Sequence, residues 1–217
     1  FFYLEIVVNN YDFKKHWDNA YDSNPIIELG WYEDNPKPSV DLIEKCKISS
    51  ESMIFHAGAG ASLLIESLIK KGYTNICVND ISSSAIKNLK ALIGNSNQLS
   101  YVVDDLTNPK ELYHIEKVDL WHDRAVLHFF VKDSQQEAYF NLLKSKVKVG
   151  GYIIFSEFAI DGAKKCCGLD ILNYSDKMFK DRLGDNFELL ESFNHLYSHP
   201  SNGNTRKYIY SLFRRNS

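Results

Sequence analysis

The segment His56-Ala57-Gly58-Ala59-Gly60-Ala61-Ser62 is the first in which residue types and spacing point to chemistry. Gly58 and Gly60 allow a tight backbone turn that a ligand can approach closely, and a helix starting at Ser62 would aim its unpaired amides at the same place. About 20 residues further on stands Asp80, where doubly wound folds use an acid to accept hydrogen bonds from ribose hydroxyls. An aspartate capping the next helix is the structural alternative. Asp104 and Asp105 close a third apolar segment. Strand alternation leaves open which carboxylate faces a crevice, and Asp105 is favoured, with Leu106, as the partner of a base amino group. A second constellation is His122, Asp123, Arg124 and His128, joined by Glu157. From it His122, Arg124 and Glu157 are the candidate catalytic groups. Asp123 and Arg124 have the alternative of pairing with each other, and His128 that of an ordinary helix-surface residue.

Elements that would position these residues follow from periodicity. An apolar strand runs from Met53 to His56-Ala57, and a helix from Ser62 to Lys71 carries Leu64, Ile65, Leu68 and Ile69 at helical spacing before Gly72. A strand at 75–80 is followed by a helix capped by Ser82 to Ser84, with Gly94 past its end. Strands are expected at 98–103 and 118–121, then a helix begun by Ser134 with Glu137 completing a capping box, then a strand opened by Gly150-Gly151. Ser39 is expected to cap a short helix through Cys46. After a loop containing Cys166 and Cys167 come a helix at 175–183 and a hairpin of segments 187–197 and 205–214. Strands separated by helices require right-handed crossovers, so the fold expected is α/β: a doubly wound, Rossmann-like, mostly parallel seven-stranded sheet ending in an antiparallel hairpin. Residues 1–38, rich in Trp17, Tyr21, Trp31 and Tyr32, read as an ordered aromatic arm or lid, and 39–217 as one domain.

The chain has 217 residues, 44% of them hydrophobic, with 25 Lys and Arg against 28 Asp and Glu for a net charge of −3. One sizeable core is affordable at this length, and no basic footprint for nucleic acid or an anionic membrane surface exists. The apolar run Phe1 to Val8 is interrupted by Glu5 and falls far short of the ~20 residues of a membrane helix. Without an initiator Met, the sequence reads as beginning inside a longer product. Cys46, Cys77, Cys166 and Cys167 show no metal-binding spacing, so no metal site is expected and free thiols in a reducing cytoplasm are.

Together, the Gly58/Gly60 turn, Asp80, Asp105-Leu106, the segment VDLWHDRAVLHFF (118–130) and the strand GGYIIFSEF (150–158) resemble the class I S-adenosylmethionine-dependent methyltransferases over about residues 39 to 214. WHDRAVLHF also resembles the signature of a subgroup whose N-terminal arm carries a W-x-x-x-Y pair and a W-Y pair, here Trp17/Tyr21 and Trp31/Tyr32. The resemblance implies that Gly58 and Gly60 cradle the methionine part of S-adenosylmethionine, Asp80 with Ile81 holds the ribose, and Asp105 with Leu106 frames the adenine. It implies further that Trp121 and His122 flank the transferable methyl and that Trp17, Tyr21 and Trp31 lie over the cofactor, where aromatic faces suit a sulfonium cation. His56 stands where the family usually has an acid for the cofactor's ammonium group; a protonated imidazole would repel that group, so affinity is expected to rise with pH through the histidine range. The acceptor expected is a small molecule or a protein lysine side chain. For a lysine, Tyr32, Glu33, Asp34 and Glu157 would form an acidic, aromatic groove. A noncatalytic cofactor-binding module is the alternative, and a nicotinamide-dependent oxidoreductase is disfavoured because a third fingerprint glycine is missing.

Overall fold

The computed structural model describes residues 11–94 and 96–217; the apolar run at 1–8 lies outside them. Helices α1 (Phe13–Ser23) and α2 (Lys37–Lys45) precede β1 (Ile54–Ala57), α3 (Leu63–Lys70), β2 (Ile76–Asp80), α4 (Ser83–Ile93), β3 (Leu99–Val103), β4 (Val118–Arg124), α5 (Asp133–Lys146) and β5 (Val147–Phe158). The chain ends with the short pair β6 (Lys165–Cys166) and β7 (Leu169–Asp170), then α6 (Asp176–Leu183), β8 (Phe187–Ser198) and β9 (Thr205–Arg215). The main sheet has the order β3-β2-β1-β4-β5-β9-β8, parallel from β3 to β5 and antiparallel in the last two strands. Strand order reverses between β1 and β4, and the carboxyl ends of the strands on either side of that reversal form the crevice where doubly wound sheets bind ligands.

Both faces of the parallel strands are covered, so their residues divide between two cores by parity. Ile54, Leu120 and Ile154 pack with Leu42, Ile43, Leu64, Ile65 and Leu68 of α2 and α3. Phe55, Trp121, Ile153 and Phe155 pack with Tyr139, Phe140 and Leu143 of α5 and Phe179 of α6. The same alternation sends His122 toward α2 and Asp123 toward α5, and that decides the fate of the residues at the end of β4. Among the described residues no helix is long and apolar enough to cross a membrane.

Four local expectations are corrected. Ser39 lies inside α2, whose N-cap is Pro36, and its buried hydroxyl is bonded to His122 Nε2 at 2.9 Å instead of capping the helix. Helix α5 starts at Asp133, and the Gln135 side chain accepts the Lys132 N–H at 3.2 Å in place of a Ser134/Glu137 box. Strand β5 begins directly after α5 at Val147; a register shift between Val118 and Leu120, with Gly150 at φ +82°, absorbs the extra residues. Strand β4 continues through His122-Asp123-Arg124 because Ala57 of β1 and Phe155 and Ser156 of β5 pair with it on its two sides, holding polar residues in strand geometry.

The arm packs as a wall. Asp18 of α1 accepts the Ser82 hydroxyl at 2.7 Å and the Ser84 N–H at 3.2 Å at the start of α4. At its other end the Tyr197 hydroxyl donates to the Tyr32 carbonyl and His199 Nε2 donates to the Leu29 carbonyl at 3.0 Å. His199 is buried and clamps the arm to the β8–β9 hairpin.

Candidate active site

The turn after β1 is built around Asp80. Gly58 and Gly60 have φ of +52° and +56°, and a Cβ at these positions would lie 2.1 Å from Val126 Cγ2 and 2.2 Å from the Tyr21 hydroxyl oxygen. Only glycine fits both the backbone conformation and the space. Asp80 Oδ2 accepts the Gly60 N–H and Oδ1 accepts the Ser82 N–H, each at 2.8 Å. Burial pushes the Asp80 carboxyl up from the ordinary 3.8 to about 6, against the lowering effect of these two amides. Each oxygen still has a lone pair for a ligand, and Asp80 with Ile81 lines a cleft.

Trp17, Tyr21 and Trp31 line that cleft from the arm side. The Trp31 indole N–H donates to the Tyr21 hydroxyl at 2.9 Å, and Trp17 meets Trp31 and Phe129 edge-on at centroid distances of 5.4 and 4.9 Å. On the far side Asp104 Oδ2 is occupied by the Lys110 and Leu112 amides at 2.8 and 3.0 Å, and its Oδ1 by the Asp105 amide at 2.9 Å. Asp105 uses Oδ1 for Thr107 and leaves Oδ2 without a hydrogen bond among the described residues. Of the two neighbours lining the cleft, Asp105 keeps the oxygen free for a ligand, and Leu106 lies beside it in the wall.

Behind the glycine turn a second cavity of about 510 Å³ shares Trp31, Gly58 and Arg124 with the first and adds Glu33, His56 and His122. His56 and His122 stack at 4.6 Å, share a proton between their Nδ1 atoms at 2.9 Å, and the His122 Nε2 is bonded to Ser39. Burial holds the His56 imidazole down at about 3, and burial together with His56 holds His122 well below the ordinary histidine value. Both rings are neutral at physiological pH. The expected pH dependence from His56 is thus corrected, because nothing in its surroundings leaves it titrating in the histidine range. His122, with both ring nitrogens engaged, has no free lone pair to act as a base. Arg124 reaches both cavities; Nη1 donates to the Trp31 carbonyl at 3.1 Å, and the guanidinium lies over Tyr208 at 5.1 Å and Tyr197 at 5.4 Å.

Two expected site residues fall elsewhere. Trp121 is fully buried on the α5 side of the sheet, donating to the Tyr139 hydroxyl at 3.0 Å, which in turn donates to Asp123 at 2.6 Å. It lines neither cavity, because strand parity that turns His122 toward α2 must turn Trp121 away. Glu157 is fully buried as well and accepts the His128 N–H at 3.2 Å and the His128 Nδ1–H at 2.5 Å. These groups brace the floor beneath β4 and β5. Cys166, which sequence spacing does not single out as a site residue, does line the cleft, brought there by a two-residue turn at Cys167-Gly168 with φ of +53° and +79°.

Residues 55–155 match a family model described as a methyltransferase domain. A malonyl-acyl-carrier-protein O-methyltransferase of Ilyobacter polytropus is 33% identical over 110 residues, which is 50% of this chain and 40% of the relative, so the match spans less than half the relative's length. Among solved structures, an S-adenosylmethionine-dependent methyltransferase from Anabaena variabilis superposes with a TM-score of 0.76 at 13% identity, covering 95% of this chain and 96% of that one. The N-methyltransferase NodS of Bradyrhizobium japonicum, solved with S-adenosyl-L-homocysteine, gives 0.68 at 17% identity, covering 92% and 100%. The sheet order and the terminal hairpin are those of the Rossmann-like methyltransferase fold.

Proposed function

We propose that this chain, whose residues 55–155 match a family model described as a methyltransferase domain, uses S-adenosylmethionine and transfers its methyl group to a small-molecule acceptor. The observation carrying this reading is the glycine turn locked onto Asp80 at the floor of a cleft walled by arm aromatics. A Cβ at Gly58 or Gly60 would collide with Val126 or with Tyr21, so glycine at both positions lets the turn pack tightly beneath the cleft wall. Asp80 has lone pairs for two ribose hydroxyls and Asp105 Oδ2 has one for an amino group, while Trp17, Tyr21 and Trp31 offer ring faces and edges to a cation. S-adenosylmethionine, when bound, supplies a methyl group on a good sulfur leaving group. Such a displacement asks the protein chiefly for orientation and a dry site. Trp17, Trp31, Phe129 and Phe130 exclude water, and the Gly60–Asp80 hydrogen bond fixes the turn. An acceptor that arrives unprotonated needs no base, which fits a site whose His122 and Glu157 have no free atom in the cleft.

A small molecule is favoured over a lysine side chain by the fate of the acidic residues. Glu157 is buried against His128 and lines neither cavity, which takes one of the two glutamates out of the groove expected for a lysine cation. The test is label transfer from methyl-labelled S-adenosylmethionine to two fractions of a cell extract, one of low molecular weight and one of protein. Label in the low-molecular-weight fraction is expected. Label confined to protein bands overturns the acceptor class, and cofactor binding with transfer to neither fraction replaces the enzyme by a noncatalytic binding module.

A further inference from the structure

Glu157, His128 and Cys166 form a chain of contacts that ends in the cleft. The fully buried Glu157 carboxylate accepts the His128 Nδ1–H at 2.5 Å, which leaves Nε2 on the other side of the ring. That nitrogen is buried with no hydrogen-bond partner among the described residues, and the polar group beside it is the Cys166 thiol. The segment carrying Cys166 is fixed to the same floor. The Leu172 amide donates to the His128 carbonyl and the Tyr174 amide to the Phe158 carbonyl, each at 2.8 Å, and Asn173 Nδ2 donates to the Ala159 carbonyl at 2.7 Å. Of the four cysteines, Cys166 lines the cleft, with the Cys167 sulfur 3.5 Å from its own.

A carboxylate, an imidazole and a thiol in that succession are the parts of an activated sulfur nucleophile. Burial opposes charge on the His128 ring, but Glu157 and Cys166 outweigh it and hold the imidazole above its ordinary value. The Cys166 thiol is drawn down by Cys167 first, then by His128 and by Arg206 of β9, against its burial, whereas Cys167 is pushed up by Cys166 and by burial. Cys166 is therefore the thiolate and Cys167 the S–H donor to it. The other titratable groups facing these residues are Tyr208 of β9, next to Cys166, and Asp123 and Tyr174, next to Glu157. Along the carboxyl edge of the sheet the cleft meets Asp105 after β3, Asp80 at the end of β2, Gly58 after β1 and Arg124 at the end of β4, and Cys166 follows β5, the next strand over. A nucleoside with its base at Asp105 and its ribose at Asp80 thus points its sulfur-bearing end toward the side where Cys166 lies.

We propose that Cys166, backed by the His128–Glu157 pair, is a methyl-accepting nucleophile: with the cleft loaded and no acceptor present, its sulfur takes the methyl group of S-adenosylmethionine. The new sulfur–carbon bond forms as the sulfonium's bond to the same carbon breaks, and the thiolate and sulfonium charges cancel. S-adenosylhomocysteine leaves, the chain keeps an S-methylated cysteine, and no other reactant is consumed. The inference rests on the reading of the cleft as an S-adenosylmethionine site. It gives His128 and Glu157 a role as positioning residues beyond bracing the floor, acting on the cleft through the sulfur of Cys166.

The experiment incubates the chain with methyl-labelled S-adenosylmethionine alone and maps the modified residue by peptide mass spectrometry, with calorimetric titration of S-adenosylhomocysteine into the same protein. One methyl group on Cys166 is expected, with Cys46 and Cys77 unlabelled and excess S-adenosylhomocysteine suppressing the label. Cys166→Ser should lose the label and most of the ultraviolet thiolate absorbance at neutral pH, while Cys167→Ser should keep the label on Cys166. His128→Gln should slow labelling by about tenfold or more near neutral pH and recover as pH rises, because solvent then removes the thiol proton. A merely structural role for His128 gives no such recovery, and the Cys166→Ser comparison stands if His128→Gln does not fold. A chain that binds S-adenosylhomocysteine but carries no methyl at Cys166 overturns the proposal, as does a thiolate absorbance of the unmethylated protein that Cys166→Ser leaves unchanged. Wild type that binds no S-adenosylhomocysteine refutes the underlying cofactor reading, an outcome distinct from both.

Discussion

Replacing Gly60 by Ala tests whether the glycine turn and the arm are one mechanical unit. With φ at +56°, an alanine takes on left-handed backbone strain of about 1–2 kcal/mol. Its Cβ would then stand 2.2 Å from the Tyr21 hydroxyl oxygen, so the hydroxyl has to retreat by about 1 Å or more to reach ordinary contact. That retreat breaks the 2.9 Å bond from Trp31, about 1 kcal/mol, and tilts two of the four arm aromatics lining the cleft. The sum, about 2–3 kcal/mol, corresponds to a fall in Tm of roughly 4–12 °C for a chain of this size. Gly203→Ala is the matched control: its φ is +71° but nothing lies within 4 Å of the added Cβ, so it bears the backbone strain alone. Thermal melts of both variants, with S-adenosylhomocysteine titrations alongside, are the assay. Gly60→Ala should melt lower than Gly203→Ala and bind the ligand more weakly, whereas Gly203→Ala should bind like wild type. Equal melting temperatures with unchanged ligand affinity in Gly60→Ala would refute the coupling.

Asp80 sets the pH response: with its carboxyl raised from 3.8 to about 6, the folded state holds a proton that the unfolded chain has released, so stability falls by about 3 kcal/mol as pH rises through that window. Binding runs the other way, since ribose hydroxyls donate to the ionised carboxylate; below pH about 6 the Kd for S-adenosylhomocysteine should rise up to about tenfold per pH unit, and a Kd that stays flat as pH falls from about 6 toward the unfolded value of 3.8 would refute the placement. The Cys166 thiol, drawn down by its contact with Cys167 at 3.5 Å and by His128, should be the first alkylated by iodoacetamide near neutral pH, with Cys46, pushed up to about 12 by burial, unreacted. Peptide mapping checks the order, and S-adenosylhomocysteine should slow the reaction because Cys166 lines the cleft.

Gly58, Gly60 and Asp80 were legible from sequence because the backbone conformation and the end of a buried strand leave few residue types that fit, and the succession of strands and helices declared the doubly wound sheet in the same way. The hairpin that closes the sheet was equally visible in two apolar segments joined by Pro200-Ser-Asn-Gly203. What sequence could not place was parity in β4. A strand covered on both faces has no polar alternation to read, so Trp121 and His122 looked equivalent although only His122 borders a cavity. Glu157 misled for a related reason: a carboxylate at a strand end suggests chemistry, and its buried partner His128 lies on the turn after a different strand. Ser39 looked like a cap until the His122 ring took its hydroxyl. Glu33 and Cys166 reach the cavities through packing of the arm and of the 161–174 segment, contacts distant in sequence that no local pattern encodes.

The most direct test of the whole account is calorimetric titration of S-adenosylhomocysteine into wild type, Asp80→Ala and Glu157→Gln at a pH well above the Asp80 titration range. Wild type and Glu157→Gln, whose substituted residue touches neither cavity, should bind, and Asp80→Ala should not. Absence of binding in wild type, or equal binding by Asp80→Ala, would contradict it.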